Sequence, residues 1–301
     1  MANTEPLATA SAHLAVEKLG ELTPEVLVML GELVAHSGWN QIAQDWALFF
    51  KCGTIYVIRD EDGLIAASGA VLPMGESRPG YLASLTGRGV AWISMILVRP
   101  DRRGQGLARR VFQQCIRDIQ SHGRIAMLDA TPQGETLYRQ FGFDALWRLT
   151  RWRREARPAT RPELPSTKPD LDTLAELDQE ALGFARMAVL RELTGRPDSR
   201  YVRHVLGFAI VRVGRVAHHI GPLLATDEPT AISVMQEAAS AFEGPLLIDV
   251  PDERPLLRRA LAEAGFAPQR GFARMALATA EQRVPQGQTH FIHAVAGPEF
   301  A

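Results

Sequence analysis

Cysteine is scarce in this 301-residue sequence: Cys52 and Cys115 are the only two, far apart and outside any paired motif. Neither needs a chemical role, and the usage fits a reducing, cytoplasmic compartment. Charge of one sign is also missing, since 33 Lys and Arg stand against 34 Asp and Glu for a formal net charge of -1. That balance excludes a whole-protein basic field, so no nucleic-acid partner is expected. No apolar run approaches the roughly 18 residues that cross a bilayer, so no membrane partner is expected either. The opening MANTEPLATASAHLAVEKLG lacks a basic n-region and an apolar h-region, and no secretory signal is expected. What remains is an ordinary globular composition, 46% hydrophobic and 22% charged, which supports buried cores. The length is that of two domains of about 150 residues.

Apolar periodicity predicts a helix opening at Thr23-Pro24 and carrying Val26, Leu27, Leu30, Leu33 and Val34 on one face. A second short helix is expected from Ile42 to Phe50. TIYVIRDEDGLIAASGAVLP (54–73) reads as a hairpin about its Asp-Glu-Asp-Gly turn, and VAWISMILV (90–98) as a further strand. After PDRRGQG comes an amphipathic helix, LARRVFQQCIRDIQSHG (107–123), closed by Gly123. A strand IAMLDA, a helix GETLYRQ and a turn FGF follow, giving a mixed α/β layer.

Residues 151–170, RWRREARPATRPELPSTKPD, hold four prolines and six basic residues without apolar periodicity, and predict an extended linker. Beyond it the first half repeats. PLLIDVPDERPLLRRALAEAGF (245–266) mirrors IAMLDATPQGETLYRQFGF (125–143), and VAHHIGPLLATDEPTAISVMQEA (216–238) mirrors the strand, turn and helix around the PDRRGQG loop. An offset of about 120 residues is domain-sized, so the sequence is read as a tandem duplication. The expected organisation is a first domain at 1–150, the linker at 151–170, its repeat at 171–280, and a tail at 281–301 packed back as a strand.

Arg103-Gly104-Gln105-Gly106-Leu107-Ala108 lies between a strand and a helix. Gly104 and Gly106 remove side chains where a ligand must approach the main chain, and the first amides of the helix face outward at its positive end. Such a loop suits a pyrophosphate, with Arg102, Arg103, Arg109 and Arg110 adding charge around it. Neither a Walker pattern nor a complete dinucleotide fingerprint is present. The second copy has Thr-Asp-Glu-Pro-Thr in place of this loop.

The run Ile96 to Ala108, with Ala130-Thr131-Pro132 and Leu137-Tyr138-Arg139-Gln140-Phe141-Gly142-Phe143, resembles the acetyl-CoA signature of the GNAT N-acetyltransferase superfamily. The second half resembles the degenerate GNAT-like domain of two-domain bacterial members. The resemblance implies tandem GNAT-like mixed sheets flanked by helices. It implies acetyl-CoA as co-substrate, held by Leu97 and Val98 at the pantetheine arm and by Arg103, Gly104, Gln105, Gly106, Leu107, Ala108 and Arg109 at the pyrophosphate. The implied activity is acetyl transfer to a primary amine. Another acyl or aminoacyl transfer, or a regulatory module that binds acyl-CoA without turnover, stays open beside it.

Tyr138 matches the family's tyrosine beside the CoA sulfur, where a phenol could protonate the leaving thiolate; packing on its helix is the other reading. The strand before the loop, Trp92-Ile93-Ser94-Met95, lacks the carboxylate that many members use as base. Asp129 is the nearest acid, equally readable as a turn cap and echoed by Asp249 in the repeat. The acceptor is expected at Trp39, Asn40 and Asp45, an acid beside aromatics that suits a cationic amine. His218-His219 and His290/His293 do not form a convincing metal pair, so no metal is expected. The oligomeric state is not legible in the sequence.

Overall fold

The computed structural model describes residues 14–75, 89–160, 164 and 170–301; the start of the sequence, and 161–163 and 165–169 of the expected linker, lie outside the described residues. The first half runs β1 (Val16–Lys18), α1 (Pro24–His36), α2 (Ala43–Cys52), β2 (Thr54–Arg59), β3 (Ile65–Met74), β4 (Val90–Val98), α3 (Leu107–Ser121), β5 (Ile125–Ala130), α4 (Pro132–Arg139) and β6 (Asp144–Arg154). The second repeats that order as α5 (Leu171–Leu182), α6 (Met187–Gly195), β7 (Arg200–His204), β8 (Gly207–Arg212), β9 (His218–Ala225), α7 (Glu228–Ser240), β10 (Leu246–Pro251), α8 (Pro255–Glu263) and β11 (Ala267–Leu277), and adds β12 (Ile292–Ala294). No helix among the described residues is long and apolar enough to cross a membrane.

All strands join one 12-stranded mixed sheet in the order β1-β2-β3-β4-β5-β11-β6-β10-β9-β8-β7, with β12 on β9. The halves have therefore exchanged their last long strands. β11 leaves the second half to pair antiparallel with β5, and β6 leaves the first to pair antiparallel with β10. The two exchanged strands pair with each other from Ala267↔Arg153 to Ala276↔Asp144. Two reciprocal buried ion pairs fasten the exchange. Asp129 on β5 takes Arg274 of β11 through both oxygens (2.9 and 2.8 Å). Asp249 on β10 takes Arg151 of β6 in the same way (2.7 and 2.7 Å).

This corrects the expected linker at its start. Arg151 to Arg154 belong to β6, and Arg151 and Arg154 are buried rather than solvated. Basic, proline-flanked sequence reads as a connector, but here its arginines find carboxylate and carbonyl partners more than 80 residues away. The hydrophobic core shows the same fusion. Leu30, Trp46, Phe49 and Trp92 pack in one cluster with Leu182, Leu193, Phe208 and Phe300. Separate clusters lie beneath α3 and beneath α7 and α8.

Candidate functional site

The site begins with a defect in β4. Ala70 faces Ser94 and Ser68 faces Leu97, so β4 carries an extra residue here, and Met95 sits at φ +56°. A bulge of this kind bends a strand away from its neighbour. Ser68 Oγ fixes it by donating to the Met95 carbonyl (2.9 Å), and Gly69 gives the Ile96 side chain room, since a Cβ there would lie 2.7 Å from Ile96 Cδ1. β4 and β5 then pair in parallel only from Val90↔Ile125 to Trp92↔Met127 and separate beyond. The Arg99 amide donates to Ala66, which makes Ala67–Val98 a pair without mutual hydrogen bonds. The Val98 N–H therefore points away from β3, into the gap.

At the mouth of the gap one turn of 3₁₀ helix (Pro100–Arg102) leads to Gly104 and Gly106, with φ of +75° and +76° and open space beside each α-carbon. Gly106 caps α3 without any side-chain bond and no acid stands in the first helical turn, so the leading amides of α3 are left for a ligand. The expected ring of arginines is only partly present. Arg102 and Arg103 line the cavity, but Arg102 is held by Glu61 (2.9 Å). Arg109 bonds Gln140 and lies over Phe141, and Arg110 bonds the Leu14 carbonyl. Of the expected cofactor residues, Leu97, Val98, Arg103, Gly104, Gly106, Leu107 and Ala108 line the cavity, while Gln105 and Arg109 do not.

The cavity encloses about 880 Å³ and runs from this loop to the second half. Tyr138 lines it, its ring tilted 31° against Phe112 (centroids 4.4 Å) and lying over Gly134, where a Cβ would meet the ring at 2.9 Å. Burial, with the nearby Cys115 thiol, raises the phenol's pKa, so Tyr138 stays protonated. Trp39 lines the cavity, with His36 and Ser37 beside it.

Three expected residues are occupied elsewhere. Asn40 is buried and spends its amide on the second half, donating to the Ala217 carbonyl and accepting from the Val216 and Ala217 amides (3.0 Å each). Asp45 is fully buried; it caps the Ile42 amide (2.8 Å) and pairs with Arg196 (2.8 Å). Acid beside aromatic reads as a cation pocket, but here the cation is the protein's own arginine. Asp129 borders the cavity yet both its oxygens hold Arg274, whose guanidinium lies between Trp92 (4.7 Å) and Trp147 (4.3 Å). Burial raises the Asp129 carboxyl and Arg274 opposes that rise. Its position makes it a clasp for β11 rather than a free base.

The sequence reading missed the polar atoms that are unspent. Gln41 Oε1, Ser94 Oγ and Glu299 Oε2 are buried without hydrogen-bond partners, and all three residues line the cavity. Glu299 is only 4% exposed and sits in the turn closed by Phe300 N–H donating to the Gly297 carbonyl (3.0 Å). Its Oε1 takes Arg212 (2.9 Å), and the preceding Pro298 carbonyl accepts from Trp92 Nε1 (2.8 Å). No motif in the sequence marks it.

In the second half the same places are filled. β9 and β10 pair only as far as Ile220↔Ile248. The space beyond is taken by β12, which pairs with Leu223 and Leu224, and by Val295, whose amide donates to the Asp249 carbonyl (3.0 Å). The N-terminus of α7 is capped by Asp227, which accepts from the Thr230 amide (2.7 Å), so a carboxylate already stands where α3 is bare. His219 and His293 are likewise structural, bonded to Asp249 (2.9 Å) and to the Ala225 carbonyl (3.2 Å).

Comparison with known proteins agrees with this doubled arrangement. The family described as acetyltransferase (GNAT) domain matches twice, at residues 51–145 and 174–290. The uncharacterized N-acetyltransferase YitH of Bacillus subtilis is 24% identical over 263 residues, covering 83% of this chain and 88% of that protein. A putative acetyltransferase from Pyrococcus horikoshii superposes with a TM-score of 0.72 at 18% identity, over 100% of this chain and 99% of its own. A tandem GNAT protein from the clavulanic acid biosynthesis pathway superposes with a TM-score of 0.57 at 14% identity, over 88% and 98%.

Proposed function

Because the chain is a two-domain member of the GNAT acetyltransferase superfamily, we propose that it uses acetyl-CoA to acetylate a primary amine by direct attack, at one site in the first half. The observation that carries this reading is the single cavity joining a bare helix N-terminus, an open strand gap, a half-buried phenol and a carboxylate with one oxygen unspent. Gly104 and Gly106 fit the pyrophosphate, since both positive-φ residues leave open space at the uncapped end of α3.

Acetyl-CoA supplies an acetyl group already activated as a thioester. The main chain of Leu97 and Val98 would hold the pantetheine arm, and the Val98 N–H would stabilise negative charge building on the acyl oxygen. Proton handling falls to two side chains. Glu299 Oε2 accepts a hydrogen bond from the acceptor nitrogen and takes its proton as the N–C bond forms and the nitrogen becomes acidic. Tyr138 gives its phenolic proton to sulfur as the C–S bond breaks. An amide and a free thiol result; Glu299 returns its proton to water and Tyr138 regains one.

Calorimetry with acetyl-CoA is expected to give one site per chain, and a panel of primary amines is expected to release thiol at a steady rate. Two sites would break the single-site assignment. Binding without any turnover would favour a regulatory acyl-CoA module, and failure to bind would remove the reading altogether.

A further inference from the structure

The arginines buried or half-buried around the cavity are each matched by a carboxylate, with one exception. Arg151 is matched by Asp249, Arg274 by Asp129, Arg212 by Glu299, and Arg196 behind them by Asp45. Arg270, on the exchanged strand β11, makes no ion pair or hydrogen bond among the described residues; its contact is the face of Phe272, 5.0 Å from the guanidinium carbon. Its Nε is buried without an acceptor. Asp249 and Glu299 are near enough to favour its charge, but both carboxylates hold other arginines. Desolvation and the neighbouring Arg151 bring Arg270 down to about 10, so it is still a cation at neutral pH.

Arg270 also stands at a junction. It lines the main cavity and a smaller one of about 160 Å³ behind it. Three of the eight residues around that side cavity, Arg151, Arg153 and Arg270, are arginines, and none is acidic. Arg151 is neutralised by Asp249 and Arg153 by Glu155, which leaves Arg270 as the surplus charge. A desolvated guanidinium gains most from a planar anion that can take two of its N–H groups.

We propose that the acceptor is an amine that also carries an acid group, and that Arg270 binds this acid at the entrance to the side cavity while the amine faces Glu299. The inference rests on the acetyl-transfer reading above and adds the class of substrate. The second half, which has no open cofactor gap of its own, would then choose the acceptor through a strand lent to the first.

The probes are small amines in matched pairs, each acid against its uncharged amide: glycine and glycinamide, β-alanine and β-alaninamide. The native protein is expected to acetylate the acids with kcat/KM at least about tenfold above the amides. Arg270→Gln should erase that preference through KM for the acids while leaving the amides unchanged, and Arg270→Lys should restore part of it. Calorimetry of the acids against the acetyl-CoA complex of native and Arg270→Gln protein reads the same interaction where no probe turns over. Equal use of acids and amides, or acid binding indifferent to Arg270→Gln, overturns the proposal. Thiol release with uncharged amines alone would do so too, while leaving the acetyl-transfer reading intact. Loss of acetyl-CoA binding in the native protein would instead strike that underlying reading.

Discussion

The two halves share one plan and differ in what stands in two equivalent places. Both place an aspartate, Asp129 or Asp249, on the strand after the loop helix, and both clasp an arginine from the other half's exchanged strand. Yet β4 and β5 part around an open cavity, whereas the space between β9 and β10 is closed by β12 and Val295. One loop helix begins at bare Gly106; the other begins at Asp227, whose carboxylate satisfies the amide a phosphate would need. The lesson is that a fold can keep its architecture-bearing charges while a plug and a cap fill the places that stand open in its other half.

The strand exchange offers the largest way to break the comparison. Arg151→Ala and Arg274→Ala should each leave a buried carboxylate without its arginine, Asp249 keeping only His219, and cost about 3–5 kcal/mol. Both variants should shift one common unfolding transition in urea, because the clasps tie the halves together; two separate transitions would show that the halves are independent. A somewhat smaller effect concerns the plug. His293 on β12 is neutral in the fold, its pKa brought down to about 4 mainly by burial, helped by Arg254. The unfolded chain binds the extra proton below about 6.5, so stability is complete above that pH and is lost as pH falls towards 4, by up to about 3 kcal/mol. Denaturant titrations across that window should show the slope, and His293→Gln should flatten it.

Next comes chemistry. Glu299→Gln keeps the shape and an acceptor for Arg212 but loses the proton acceptor, and should lower kcat about 10²-fold with acetyl-CoA affinity unchanged. A matching fall in affinity would assign Glu299 to the architecture instead. Gly106→Asp copies the cap of the second half into the first and strains a left-handed position; acetyl-CoA binding should fall at least about tenfold. The smallest effect is the reverse change. Asp227→Ala should cost about 1 kcal/mol of stability and create no second acetyl-CoA site, because β12 still fills the gap.

The fold was legible where its signals are local. The helix of α1 follows from Thr23, Pro24 and an apolar stripe; the turn into α3 follows from two glycines that need positive φ. The duplication shows in repeated strand-turn-helix runs. The exchange of β6 and β11 was not legible, because an edge pairs with whichever strand the tertiary fold delivers, and nothing in the strand itself names its partner. For the same reason Asn40, Asp45 and Asp129 looked available: each is polar beside apolar residues, and each is consumed by a partner more than 140 residues away. Glu299 and Arg270 carry the opposite lesson. They sit in unremarkable sequence, and only the packed structure leaves them with unspent bonds.

The exchange of strands also fixes when a newly made chain can complete its cavity. β5 emerges from the ribosome with one edge open, and the strand that covers it begins about 140 residues later. At about 5–20 residues per second that is a wait of roughly 7–28 s. Throughout it the nascent first half carries the phosphate loop and Tyr138 but lacks the wall bearing Arg270 and the turn bearing Glu299. Synthesis therefore delivers the wall of the cavity that bears Arg270 and Glu299 last, and under the proposed reading a chain stopped halfway would hold the donor without that wall.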